Sequence, residues 1–279
     1  MVCYDAAMDQ ATQSGAPLIG PDEPPPFSIV NAGGKASVML VCDHASGCMP
    51  ASLHGLGLRE HDLTQHIALD KGAAEVTRAL AVRLDASAVL AGYSRLVIDC
   101  NRRLGHQSSI VAESDGVAVP GNRGLGSAET AKRAAELFWP YHRKIGAGIA
   151  GFAQRGIRPV IISIHTFTAV MSGARRPWQI GILWDKDGRL AVPLIAALRA
   201  RGDLEVGDNE PYSGRRMFGY TIEVHAGETG LANVLVEVRE DVACADPGAT
   251  AIADILAAAL TPLLADPALY IYIKHSGAG

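Results

Sequence analysis

The stretch Val160-Ile161-Ile162-Ser163-Ile164-His165-Thr166-Phe167 decides the reading of the fold. Its apolar and β-branched residues follow one another almost without interruption, as they do in a strand covered on both faces. An imidazole at the end of such a run is a poor core residue. The same grammar recurs at Val38-Met39-Leu40-Val41-Cys42-Asp43-His44, where a second apolar run stops at a histidine. If both strands lie in one parallel sheet, their carboxyl ends share an edge, and open α/β sheets carry their sites on that edge. Two histidines so placed point to a metal.

Composition bounds what surrounds them. The chain has 279 residues, of which 48% are hydrophobic and 19% charged, enough apolar material for a large core and unlike a disordered chain. A single domain of this length is common among α/β proteins. The expected division is an extended arm over residues 1–36, broken by Pro24-Pro25-Pro26 and Gly33-Gly34, followed by one catalytic α/β domain over 37–279. A net charge of −4 with dispersed basic residues offers no polycationic face to nucleic acid. Five cysteines without a CxxC pair argue against a disulfide framework and fit a reducing compartment. No apolar run reaches the roughly 18 residues of a membrane span, and the first residues do not read as a secretory signal. The expectation is a soluble, cytoplasmic protein that takes a small ligand.

Along the chain, strands and helices alternate. A strand over about 37–43 is followed by a helix from Asp62, with Gln65 completing its cap and Leu69, Ala73, Val76, Leu80 and Leu84 forming its apolar stripe. Strands are expected at 86–91 and 94–100. Residues 104–126 form a long aperiodic loop of the kind that serves binding sites. A helix over 127–154 should break or bend at Pro140. After the central strand come strands near 179–184, 204–206, 219–225 and 234–239, with helices near 191–201 and 249–265. This alternation implies a three-layer α/β/α fold with a mixed, mostly parallel sheet.

A hydrolytic zinc site needs about three protein ligands and one open position for water. His44 and His165 are the first two candidates, and Asp70 is the carboxylate chosen as the third, its plainer alternative being a helix-surface residue or a partner to a ligand histidine. Glu237 lies inside the apolar run Val234-Leu235-Val236-Glu237-Val238-Arg239, where a carboxylate is costly unless it is paired or functional. It either pairs with Arg239 on the same face or serves as a general base toward water. Asn101 and Arg102 suit a substrate carboxylate, which guanidinium grips with two prongs, although Arg102 could instead pair with Asp99. A cysteine nucleophile, Cys42 or Cys48 near His44, is the competing chemistry.

Several segments together resemble the N-formylglutamate amidohydrolase family, relatives of the zinc carboxypeptidases. They are Asp43-His44-Ala45-Ser46, His66-Ile67-Ala68-Leu69-Asp70-Lys71-Gly72-Ala73, Ser94-Arg95 through Asn101-Arg102, Pro140-Tyr141-His142, Ile164-His165-Thr166-Phe167-Thr168, Arg176-Pro177-Trp178, Asn209-Glu210-Pro211-Tyr212 and Glu237-Val238-Arg239-Glu240-Asp241, in family order. The resemblance implies a phosphorylase/hydrolase-like fold and zinc-dependent hydrolysis of N-formyl-L-glutamate to formate and glutamate. It carries His44 and His165 over as zinc ligands, Glu237 as the catalytic carboxylate, and Asn101 with Arg102 as carboxylate holders, joined by Arg95 and Tyr212. His225 takes a supporting place beside the catalytic group. The His-x-x-Glu ligand pair of the carboxypeptidase relatives is missing, because Gly47 stands third after His44, so Asp70 remains an inference. Two other readings stand beside this one: a zinc hydrolase of another N-acyl amino acid or small peptide, and a non-catalytic protein that binds an acidic metabolite.

Overall fold

Seven strands form a mixed sheet flanked by helices on both faces. The structure, a computed structural model, describes residues 16–215 and 219–273; residues 1–15 of the expected arm lie outside that range. The strands are β1 (Phe27–Val30), β2 (Val38–Cys42), β3 (Ser87–Ala91), β4 (Val160–Phe167), β5 (Ile180–Leu183), β6 (Val206–Asp208) and β7 (Asn233–Arg239), in the spatial order β1-β3-β2-β4-β7-β5-β6. The four central strands β3, β2, β4 and β7 run parallel, while β1 opposes β3 and the pair β5–β6 opposes β7. Both histidine-terminated runs are therefore adjacent parallel strands, with Val41 opposite Ser163. Part of the expected arm is the edge strand β1.

Side-chain alternation along the strands builds the two cores. Leu40, Ile162, Ile164, Val234 and Val236 pack against α1 (Ala73–Arg83), α3 (Ala191–Arg199) and α4 (Gly248–Leu263). Val41, Val89 and Ile161 face the other way, toward Tyr141, Ile145 and Phe152 of α2 (Trp139–Gln154). His165 shares the parity of Ile161, and Glu237 that of Leu235, so both project toward the α2 face. A third apolar cluster, built from Leu56, Ile67, Tyr93, Leu96 and Phe138, gathers the loops at the edge.

Four elements differ from the sequence expectation. The helix expected from Asp62 is divided: Glu60–Leu63 is a single short turn and the longer helix begins only at Ala73, because residues 64–72 turn so that the Asp70 amide can donate to the His44 carbonyl at 3.0 Å. Residues 94–100 are a series of turns rather than a strand: the Ser94 hydroxyl donates to the Ala68 carbonyl, and the Asp99 amide donates to Ser109. Residues 219–225 alternate like a strand but form one helical turn, Tyr220–Ile222, and a wide turn, Glu223–Gly227. Here the Asn101 side chain accepts the Thr221 amide at 3.1 Å, so tertiary contacts override the local pattern. The helical run that starts at Ser127 does not break at Pro140. Its turn Ala134–Phe138 widens instead, which gives the proline ring room and absorbs the missing N–H.

The long loop is held from beneath by an arginine that the sequence did not single out. Arg133 is 1% exposed, and its guanidinium donates to the Val97 carbonyl at 3.0 Å and to Asn122 Oδ1 at 2.6 Å. The loop is thereby fastened to the turns that carry Asp99.

Candidate active site

His44, Asp70 and His165 come together, and their nearest ligand atoms all lie within 4.8 Å of one another. His44 follows β2, His165 lies near the end of β4, and Asp70 is delivered by the turn before α1. The Nδ1 atoms of both histidines face the same oxygen, Asp70 Oδ2, at 3.2 Å and 2.8 Å. Each Nε2 atom is taken by a further carboxylate. His44 Nε2 lies 2.8 Å from Asp99 Oδ1, and His165 Nε2 lies 3.0 Å from Asp43 Oδ2. Arg95 bridges two of these acids, donating to Asp70 at 3.3 Å and to Asp99 at 2.9 Å. Tyr141 and Thr221 donate their hydroxyls to Asp43 Oδ1 at 2.9 Å and 2.5 Å.

Among the described residues, the buried acids of this cluster outnumber its arginine. Asp43, Asp70 and Asp99 are buried, and Arg95 offsets one of their three negative charges. Burial alone would raise all three acids, but the facing imidazoles and Arg95 hold them low, Asp43 at about 2. The remaining two charges call for two imidazolium rings or one divalent ion. Without the ion, Asp43 and Asp70 lift His165 to about 10 against the opposing effect of burial, and His44 rises too. With neutral rings that donate Nε2–H to Asp99 and Asp43, two Nδ1 lone pairs and one carboxylate oxygen converge on one point. Two nitrogens, one oxygen and a carboxylate behind each histidine fit the donor set of a hydrolytic zinc site.

Glu237 stands beside this point. It is opposite His165 in the β4–β7 ladder and 7% exposed, and among the described residues its Oε2 has no hydrogen-bond partner. Arg239, the alternative partner, is engaged elsewhere, donating to Asp241 at 2.7 Å and to the Pro177 carbonyl at 2.9 Å. Burial, reinforced by the charge of Asp70, raises Glu237 to about 7, with His165 opposing. A buried carboxyl that titrates near neutrality and has a free oxygen is equipped to take and return a proton.

The remaining candidates fall around this centre. The Asn101 amide donates to Asp99 at 2.8 Å and its side chain caps the Thr221 turn, so Asn101 ties Asp99 to the wall. Arg102 donates to the Asn101 carbonyl at 2.9 Å and lines, with Arg103 and Tyr220, a cleft of about 1000 Å³ beside the triad rather than over it. Tyr212 is 40% exposed, on a loop that crosses Gly181. His225 stays out of the triad. Its Nε2 lies 3.0 Å from His142 Nδ1, and burial lowers the pair to about 3 and about 4, so both rings are neutral. Cys42 and Cys48 are both held protonated, first of all by burial, which leaves a cysteine nucleophile without support. Asp43, next to the candidate ligand His44, and Asp99, at the end of an apolar run that reads as a strand, carry no spacing signal of their own in the sequence.

The family model of N-formylglutamate amidohydrolase matches residues 36–244. The chain belongs to this family. Members are amidohydrolases, and the segments on which the resemblance rests are those that build the site. Among solved structures, a gene product of Agrobacterium tumefaciens is 35% identical, with a TM-score of 0.86 over 88% of this chain and 98% of its own. The N-formylglutamate amidohydrolase of Ralstonia eutropha JMP134 is 18% identical, with a TM-score of 0.65 over 86% of this chain and 97% of its own, a likeness of fold. No curated protein matches the chain. Among the described residues, no helix is long and apolar enough to cross a membrane.

Proposed function

We propose that this member of the N-formylglutamate amidohydrolase family is a zinc-dependent, cytoplasmic hydrolase that cleaves N-formyl-L-glutamate, or a closely related N-acyl amino acid, to formate and the free amino acid. The observation that carries the reading is the convergence of His44 Nδ1 and His165 Nδ1 on Asp70 Oδ2, with an unpartnered Glu237 oxygen alongside. His44, His165 and Asp70 would hold the ion. Zinc at such a site supplies Lewis-acid polarisation of the amide and lowers the pKa of water.

The chain's own groups do the rest. Asp99 and Asp43 fix the tautomer and direction of the two imidazoles, which raises their basicity as ligands. Glu237, poised near neutrality, takes a proton from the attacking water. It returns that proton to the amide nitrogen as the C–N bond breaks, leaving formate and an amine. Arg102 and Tyr212 are the groups proposed to hold the substrate. Asn101 positions Asp99 and offers its carbonyl to the Arg102 guanidinium, and Arg95, committed to two acids, sets the field of the site from behind. His225 supports the wall through His142.

The test is elemental analysis of purified protein together with turnover of N-formyl-L-glutamate. About one zinc per chain in the wild type, lost in both His44→Ala and His165→Ala, is the expected result. A wild-type protein that stays empty after incubation with zinc, or that turns over no N-formyl amino acid, overturns the reading.

A further inference from the structure

We propose that Arg176 is the specificity-determining residue of this site: together with Tyr212 it forms an anion subsite that receives the side-chain carboxylate of the substrate and selects acidic amino acids over neutral ones. The inference rests on the function proposed above and assigns its substrate class to a particular side chain.

The β-ladder fixes the place. His165, Glu237 and Gly181 stand in one row across β4, β7 and β5. The loop 209–212 lies directly on Gly181, so close that a Cβ there would collide with the Glu210 carbonyl oxygen. Tyr212, at the end of that loop, is near enough to Glu237 and Asp70 for their charges to act on its hydroxyl. Arg176 reaches this hydroxyl from the other side, with its Nη1 donating to Tyr212 Oη at 3.1 Å. Its guanidinium is 4.9 Å from the Tyr212 ring centre and 5.8 Å from that of Phe167, two residues beyond His165. Arg176 thus stands at the rim of the catalytic row, on the Glu237 side.

Its charge is unanswered. The other polar partners of the guanidinium are the carbonyl and hydroxyl of Thr168, both at 3.4 Å, and the Met171 sulfur. All are neutral, and among the described residues no carboxylate is in ion-pair range of Arg176. Arg95, Arg189 and Arg239 are by contrast each paired with an acid. An arginine oriented by two rings and neutral acceptors, half-buried and without an anion, is prepared for an anion from outside. Its backbone is also anchored: the Arg176 amide donates to Ala169 at 2.9 Å, and Arg239 grips the carbonyls of residues 176–178. Arg102 lies on the opposite flank, close enough to Asp99 to lower it. Two cationic flanks about one reacting centre match a substrate with two carboxylates.

The experiment compares wild type, Arg176→Met and Arg176→Lys as purified holoenzyme. Calorimetric binding of L-glutamate and L-glutamine is measured alongside turnover of N-formyl-L-glutamate and N-formyl-L-glutamine. The expected result is a wild-type preference for the charged ligand of each pair that collapses about 10- to 100-fold in Arg176→Met, mostly through KM, as expected when a charge-assisted hydrogen bond is lost. Arg176→Lys should recover part of it, with thermal midpoints unchanged. Equal losses for charged and neutral ligands, or a preference that survives Arg176→Met, overturn the inference. A wild type that hydrolyses N-formyl-L-glutamate without any Arg176-dependent preference sinks the inference alone. A wild type that binds L-glutamate through Arg176 and hydrolyses neither amide supports the subsite and overturns the proposed reaction.

Discussion

Glu237 and His165 are cross-strand neighbours in the parallel β4–β7 ladder, and both side chains project from the same face of the sheet. The pairing sets the proposed proton-transfer group beside a candidate ligand without any loop having to close. Among the described residues Glu237 Oε2 is without a partner, which makes the arrangement costly unless something uses it.

Replacing that oxygen with an amide nitrogen is the most direct test. Glu237→Gln keeps the volume and should retain metal, yet kcat should fall by about 10²- to 10⁴-fold, the usual contribution of positioned proton transfer. Metal content and turnover measured on one preparation decide the point. Unchanged turnover would remove Glu237 from the reaction.

Asp43 and Asp99 touch the candidate ligands through the far nitrogens of His165 and His44. Asp99→Asn and Asp43→Asn should each weaken zinc binding about 10- to 100-fold, the range found when such partners are removed. Competition with a fluorescent chelator measures this without reference to activity. Zinc affinities equal to wild type in both variants would show that these acids do not orient the ligands.

The parts of this molecule that were legible in the sequence were those governed by local rules. The apolar runs ending in His44 and His165 read as strands whose ends share an edge if both lie in one parallel sheet, and they are adjacent parallel strands. Alternation puts Glu237 on one face with Arg239 and leaves a pair between them open, whereas the structure gives Arg239 to Asp241. What escaped was set by distant contacts. Residues 94–100 are as apolar as a strand, but Ser94, Arg95 and Asp99 each bond outside the segment and bend it into turns. Tyr220-Thr221-Ile222 alternates like a strand and coils because Asn101 caps it. Asp43 carried no signal of its own beside His44, and its role follows only from Tyr141, Thr221 and His165 meeting around it.

Gly181 offers a test that touches no charged group. Adding one methyl there must push the loop 209–212 away from the sheet, since the Glu210 carbonyl already occupies the space. Gly181→Ala should cost about 1–3 kcal/mol of stability, the range for overpacking, and should raise KM by displacing Tyr212. Denaturant unfolding together with steady-state kinetics would report both. A variant with wild-type stability would mean that the loop does not press on this strand.

The His142–His225 pair should make the fold sensitive to acid. Both rings are buried and neutral, lowered from the ordinary 6.5 to about 4 and about 3, chiefly by burial. Their geometry fixes the protons: His142 Nε2 donates to the Cys100 carbonyl at 2.8 Å, so His142 Nδ1 accepts from His225 Nε2. Between pH 6.5 and about 3 the unfolded chain binds protons that the folded chain refuses, so stability falls as the pH drops through this window. For His142 alone, the displacement to about 4 corresponds to roughly 3 kcal/mol. His44 and His165 shift the other way and add an opposite slope at higher pH, so the clean observable is a difference. The stability of wild type minus that of His225→Phe, from urea unfolding, should be largest above pH 6.5 and shrink steadily toward pH 4. A difference independent of pH would show that His225 is not held neutral in the folded protein.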